Sequence, residues 1–428
     1  MLKFLSIVLT GIITSLYFFP VFFKAFPAQN TKNVMAAAGI VLLILHLCSR
    51  RRPLLNKDYI LLFLLAIVFS LIVYFSITIN ATYDMAYARF IISVIIWMSA
   101  AYLVCSMIRT THGYLNVELV SYYLIGVCVT QCVLALIIDN NIEFKNLINA
   151  YIEQGQSFLD SNNVNRLYGI GASLDVAGSR FSAVLVIIAF MMLRKSHDNL
   201  MLSILIAAFF IIAIAGNMIA RTTTVGMILG VLFMVYHLHL NGYKYRRLIY
   251  WICALSVLAI PILGYLYNRD ANFERLVNFG FEGFISILER GEWYTTSNET
   301  LSNMIVFPDN IKTWFIGDGY FDNPFVTDPY FIGEFRGGFY KGTDIGYLRF
   351  IFYCGLIGLS VLITYMFKAT DICIKRFKDY KAMFLLLLAI NMIVWLKVST
   401  DIFLVFAIYL CIPKEDNEEY NKSIALQS

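Results

Sequence analysis

Apolar runs follow one another along the chain, separated by short polar breaks. Most are long enough to cross a ~30 Å hydrocarbon core, which takes about 20 residues. They fall near 3–23, 33–48, 58–80, 89–108, 117–139, 180–194, 199–219, 222–240, 248–267 and 345–367. The interval 382–412 holds two more; it is short for a pair and is interrupted by Lys397 and Asp401. The pattern predicts an all-α polytopic membrane protein of about 12 transmembrane helices, one domain over residues 1–428.

Two polar intervals break this rhythm, a medium one near 140–179 and a long one near 268–343. Loops of such length tend to be functional. The long one carries aromatic residues (Phe273, Trp293, Tyr294, Trp314, Tyr320, Tyr330, Tyr340) and glycine turns at Gly317-Asp318-Gly319 and Gly337-Gly338. Within it Phe273, Val277, Phe281, Phe284 and Leu288 recur at helical spacing, with Glu274, Arg275, Glu282 and Glu289 largely off that face. Such a helix either lies in the membrane interface or packs against the spans.

Composition narrows the class, because 60% hydrophobic and 14% charged residues exclude a soluble domain. The basic residues then fix orientation. Arg50, Arg51, Arg52 and Lys57 share one side with Arg194 and Lys195, with Lys244, Arg246 and Arg247, and with the run from Lys368 to Lys381, if both termini are cytoplasmic. Both polar intervals are then extracytoplasmic. The net charge of +5 follows this topology and forms no nucleic-acid patch.

None of the eight cysteines lies in the long interval, so no disulfide framework is expected there. Cys128 and Cys132 have no histidine or acid near them in sequence and read as buried small hydrophobes rather than metal ligands. Gly317-Asp318-Gly319 is too short for a dinucleotide fingerprint and no GKS/T loop occurs, so neither cofactor nor metal is expected. His46, His112, His197, His237 and His239 all fall on the cytoplasmic side. A base on the outer face must therefore be a carboxylate, unless the substrate assists itself.

Charge at the mouths of the spans is where chemistry is expected. Arg166, Arg221, Arg336 and Arg349 all face outward. A guanidinium near hydrocarbon is costly unless paired, hydrated or snorkelling, and its fork suits phosphate oxygens. The plainer reading is an ion pair or an interfacial anchor. Thr222, Thr223 and Thr224 would open a helix whose free N–H groups add to an anion site. Thr343-Asp344 reads first as a helix cap and second as a source of the base. Asp318, Asp322, Asp328 and Glu334 are the other candidate bases. Lys397 and Asp401, one helical turn apart, read as the outer turn between two spans.

Several of these segments, in order, resemble the O-antigen polymerase (Wzy) family. They are Arg166-Leu167-Tyr168-Gly169 with Asp175 following, Arg221 with its threonines, and the run from Thr313 and Trp314 through Gly317-Asp318-Gly319 to Tyr320. The last runs from Gly342-Thr343-Asp344-Ile345-Gly346-Tyr347-Leu348-Arg349 to Gly355-Leu356-Ile357-Gly358. The resemblance covers nearly the whole chain. It implies a GT-C-like membrane glycosyltransferase in the bacterial inner membrane, polymerising undecaprenyl-pyrophosphate-linked oligosaccharide, with a chain-length regulator protein as a further partner. On that reading Arg166, Arg221, Arg336, Arg349 and Asp344 are catalytic, and Trp314, Asp318, Tyr320 and Tyr347 bind the sugar. The related ligases typically bear an outer histidine, whose absence here favours polymerase; a polysaccharide or ion transporter is the alternative of a different class.

Overall fold

The computed structural model describes residues 2–26, 29–49, 57–153, 166–194, 199–241, 246–324 and 338–413. Helices α1 (Leu2–Phe18), α2 (Thr31–Cys48), α3 (Lys57–Asn80), α4 (Phe90–His112) and α5 (Val117–Asn140) lead into a short α6 (Ile142–Tyr151). Then come α7 (Leu174–Leu193), α8 (Asn199–Ile219), α9 (Thr223–Asn241) and α10 (Arg246–Arg269). The long polar interval forms α11 (Ala271–Arg290), α12 (Thr296–Asn303) and α13 (Ile311–Phe315). Last are α14 (Gly346–Arg376), α15 (Lys381–Val394) and α16 (Phe403–Leu410). Two short strands, β1 (Phe22–Phe23) and β2 (Ile152–Glu153), pair antiparallel with Phe22 opposite Glu153.

Among the described residues, eight helices, α2 to α5, α7 to α9 and α14, are long and apolar enough to cross a membrane. The chain is an all-α multi-pass membrane protein. Near its centre stands α7, buried from Ala177 to Leu193 and apolar on every side from Ala183 onward, as a helix surrounded by others must be, while Arg180 in its first half donates to the Phe18 carbonyl. It packs against α8, α9 and α15.

The helix ends gather at two faces. At one, Glu118 in the first turn of α5 pairs with Arg194 just past α7 (3.3 Å) and accepts from Tyr380 Oη (3.3 Å). Arg376, ending α14, donates to the Leu410 carbonyl at the end of α16 (2.6 Å), and His112 bonds Tyr123 Oη (2.9 Å). At the opposite face lie the start of α7, the α8–α9 junction, the start of α14 and the break between α15 and α16. Thr222 Oγ1 donates to Asp175 there (2.5 Å) and Arg349 to Ser399 (2.8 Å).

Several boundaries differ from expectation. The first run does not stay helical to residue 23: α1 stops at Phe18, because Pro20 disfavours helical geometry at the residue before it. The run expected from 180 begins at Leu174, since Asp175 in a first turn is favoured by the helix dipole and accepts the Thr222 hydroxyl. In α11 the apolar face predicted from Phe273 to Leu288 does not hold throughout. Phe281 leaves helical geometry (φ −119°, ψ 19°), which shifts the phase of the second half. Leu276, Gly280 and Gly283 then face inward, while Leu288 is 86% exposed. Of the two readings of this helix, packing against the spans is the observed one: Gly280 lies so close to α8 that a Cβ would come within 3.0 Å of the Asn217 carbonyl carbon.

One break in α14 positions the loop motif. Gly355 has φ 65° and ψ −178°, a left-handed region that favours glycine, and a Cβ there would lie 2.1 Å from the Phe315 carbonyl. The interruption leaves the Phe352 and Tyr353 carbonyls to accept from the N–H groups of Asp318 (2.5 Å) and Gly319 (3.2 Å). Thus the Thr313–Gly319 segment is pinned onto a broken transmembrane helix rather than standing free.

Candidate functional site

Arg166 and Arg221 reach one cavity of about 220 Å³ at the second face, lined also by Asp175, Phe279, Thr296, Ser297, Thr300 and Lys397. The two guanidinium groups bracket the Phe279 ring, at 4.9 Å for Arg166 and 4.4 Å for Arg221. Arg221 Nε donates to the Phe279 carbonyl (2.9 Å), two residues before the α11 kink. Its Nη1 lies 2.5 Å from Glu282 Oε2, a charge pair without aligned hydrogen-bond geometry. Glu282 also accepts, through Oε1, from Thr296 N (3.1 Å) and Thr296 Oγ1 (2.5 Å). Arg166 Nε has no hydrogen-bond partner among the described residues. Burial depresses the pKa of both arginines, opposed by Asp175 at Arg166 and chiefly by Glu282 at Arg221.

Lys397 Nζ closes the cavity from the α15–α16 break, 3.4 Å from Asp175 Oδ1. As expected it sits in a turn, Trp395 to Ile402, between two apolar helices. Its charge belongs with Asp175. Asp401 Oδ1 instead accepts from Phe403 N (2.8 Å) at the start of α16. A second cavity, of about 230 Å³, adjoins the first and shares Arg221, Ser297 and Lys397 with it; Trp293, Phe284 and Val394 line its apolar part.

Arg349 lies in a neighbouring cluster of a different kind. It is 7% exposed and donates to Asp322 Oδ1 (2.5 Å) and Ser399 Oγ (2.8 Å), with Asp344 Oδ1 3.5 Å away. The rings of Phe321 and Phe339 cover its guanidinium at 3.8 and 4.5 Å. Asp344 does not cap α14 as expected. Ile345 occupies the cap position without a side-chain bond, and Thr343 Oγ1 accepts from Ile345 N (3.3 Å), leaving Asp344 turned to Arg349. Burial raises the Asp344 carboxyl to about 6, although Arg349 pulls it down; Asp175 and Lys397 are close enough to act on it as well. Asp322 is raised too, by burial first, with Arg349 opposing.

The four residues expected to bind sugar are already engaged. Asp318 accepts from Thr313 Oγ1 (2.6 Å) and Tyr340 Oη (3.1 Å), and Tyr320 packs on the Tyr340 ring at 5.2 Å. Trp314 Nε1 donates to the Pro308 carbonyl (3.0 Å), and Tyr347 Oη to the Met392 carbonyl (2.9 Å). None of the four lines either of these two cavities. Arg336, Asp328 and Glu334 lie outside the described residues.

The structure adds Glu282, Thr296 and Phe279 to the site and brings Lys397 into it. The signal for Lys397 was present, as a lysine in an otherwise apolar interval. For Phe279 there was none, because it is one aromatic among 35 phenylalanines and acts partly through its carbonyl. Three cations and one carboxylate, Asp175, line one cavity, with Glu282 lining the adjoining one, an arrangement that can hold a polyvalent anion. No protein-family model, no curated protein and no solved structure matches the chain.

Proposed function

We propose that the chain is a glycosyltransferase that joins undecaprenyl-pyrophosphate-linked oligosaccharide units into an O-antigen-type polysaccharide at the outer face of the bacterial inner membrane. Helix ends alternate between the two faces, which supports twelve crossings: α1 to α5, α7 to α10, α14, and the hairpin of α15 and α16. The basic residues Arg194, Lys375, Arg376 and Lys381 mark the Glu118 face as cytoplasmic, together with both termini. The cavity then opens outward.

The observation that carries the proposal is the meeting of Arg166, Arg221 and Lys397 at one cavity. In the proposed reaction a sugar hydroxyl of one unit attacks the anomeric carbon of the growing chain. The bond from that carbon to the pyrophosphate oxygen breaks, and negative charge collects on the leaving lipid pyrophosphate. Fixed cations in a partly dry site stabilise that charge. The hydroxyl proton passes to a carboxylate; Asp344, raised to about 6, is assigned that role, standing behind the cavity rather than lining it and close enough to feel Asp175 and Lys397. A chain-length regulator is the expected protein partner.

The deciding experiment examines lipopolysaccharide from a strain lacking this chain. A polymerase defect leaves lipid core bearing a single repeat unit and no ladder. Bare core with long chains stranded on the carrier lipid identifies a ligase and overturns the proposal. Bare core with single units held on the cytoplasmic side identifies an exporter and overturns it equally.

A further inference from the structure

Lys397 is carried by a segment built at some cost. The apolar α15 ends at Val394, and residues 395–402 run as turn and extended chain before α16 begins. Polar backbone groups exposed in this way inside an apolar bundle must be satisfied within the protein. They are in good part. Trp395 Nε1 donates to the Thr400 carbonyl (3.1 Å), Tyr347 N to the Trp395 carbonyl (3.1 Å), and Ile402 N to Asn391 Oδ1 (3.0 Å). Trp395 and Ile402 are themselves fully buried, and α14 presses against the break at Gly346, where a Cβ would lie 2.6 Å from the Val398 carbonyl. The only cation this rigid segment carries is directed into the cavity.

There its pairing is loose. Among the described residues the sole hydrogen-bond or ion-pair partner of Lys397 is Asp175 Oδ1, at 3.4 Å, well beyond the ~2.7–2.9 Å of a tight charge-assisted bond. That same oxygen already accepts the Thr222 hydroxyl at 2.5 Å. An ammonium has three donors and turns freely on its stem. It can leave Asp175 for another oxygen while Thr222 keeps the carboxylate in place, and it stands where the two cavities join.

We infer that Lys397 is the third cation of a pyrophosphate-binding centre formed with Arg166 and Arg221, and that Asp175 is its resident counter-ion, released when the ligand enters. The inference rests on the anion-site reading given under Proposed function. Asp175 has a double consequence: it holds the empty site together, and it competes with the incoming anion. Neutralising it therefore strengthens anion binding, whereas a purely structural carboxylate would weaken it on removal.

The test uses the full-length protein in detergent micelles, titrated calorimetrically with inorganic pyrophosphate at low ionic strength. Lys397→Met weakens binding about tenfold or more, the expected loss of a charged hydrogen-bond donor, and Lys397→Arg restores most of it. Asp175→Asn tightens binding severalfold. Should Lys397→Met not accumulate, the double variant Asp175→Asn/Lys397→Met removes both members of that pair, and it binds more weakly than Asp175→Asn alone, in which Arg166 has lost the same carboxylate. Unchanged binding in Lys397→Met, with Arg221→Ala weakened, overturns this inference and leaves the two-arginine site standing. Weaker binding in Asp175→Asn overturns the counter-ion role. Unchanged binding in both Arg166→Ala and Arg221→Ala, or no binding by the unsubstituted protein, overturns the anion-site reading and this inference together.

Discussion

Arg349 and Arg221 both lie at the mouth of the helix bundle and both face carboxylates, yet one is closed in and the other opens onto a cavity. Arg349 is bonded to Asp322 and Ser399, lies near Asp344, and is covered by two phenylalanine rings. It ties the start of α14 to the α15–α16 break and to the Phe321–Asp322 turn. Arg221 has one carboxylate, one carbonyl and one ring, and keeps 20% of its side chain exposed on the cavity. Desolvation penalises both, but only Arg349 has its charge answered from several directions by the protein itself. The first arginine is a structural tie; the second retains capacity for a ligand.

The largest expected effect comes from breaking the closed cluster. Arg349→Ala leaves Asp322 and Asp344 without their counter-charge; water screens the half-exposed Asp322, so the cost falls at or below the lower end of the about 3–5 kcal/mol that breaking a fully buried pair takes. Protein recovered from the membrane should fall and the unfolding midpoint drop, with activity lost as a consequence. Arg349→Lys should rescue poorly, because a single ammonium cannot span Ser399 and Asp322 as the fork does. Normal yield and midpoint in Arg349→Ala would erase the distinction between the two regions.

Next in size is the open site. Arg166→Ala and Arg221→Ala should lower protein yield less than Arg349→Ala does, since Glu282 keeps both of its Thr296 bonds, while chain polymerisation per unit of protein falls about 10²–10³-fold, the usual cost of one preorganised donor to developing charge. The readout is the lipopolysaccharide ladder, scored beside an immunoblot of membranes. A full ladder in Arg221→Ala would remove that residue from the site.

The sequence made the bundle legible because apolar length is a direct physical requirement of the bilayer, and the runs near 33–48, 58–80, 117–139 and 199–219 match α2, α3, α5 and α8 closely. It also marked Arg166 and Arg221, since charge beside hydrocarbon is conspicuous. It could not separate them from Arg349, because pairing depends on residues distant in the chain: Asp322 and Ser399 approach from opposite sides of α14 in sequence. The anchoring of Gly317-Asp318-Gly319 was hidden for a similar reason, because the α14 break at Gly355, distant in the chain, supplies the carbonyls that this loop satisfies. The kink at Phe281 left no pattern to read, and with it went the inward turn of Glu282 and the Phe279 carbonyl.

The smallest effect bears on the seam between the two regions, Asp344, which leans on Arg349 yet feels Asp175 and Lys397. Burial lifts its carboxyl to about 6 from an ordinary value near 3.8. The folded state therefore takes up this proton before the unfolded state does. Above pH 6 the folded protein carries the full penalty of a buried charge; as pH falls through 6 towards 4 the penalty is relieved and stability rises. Asp344→Asn, neutral at every pH, should then be more stable than the unsubstituted protein at pH 7, by no more than about 3 kcal/mol, with the difference closing near pH 4. Activity should run the opposite way. If Asp344 accepts the hydroxyl proton, the rate climbs about tenfold per pH unit below 6 and levels off above it, and Asp344→Asn abolishes that limb. Unfolding midpoints and initial rates measured between pH 4.5 and 8 provide both curves. A rate profile with the same acid limb in Asp344→Asn would leave Asp344 as a partner of Arg349 alone and assign it to the closed cluster.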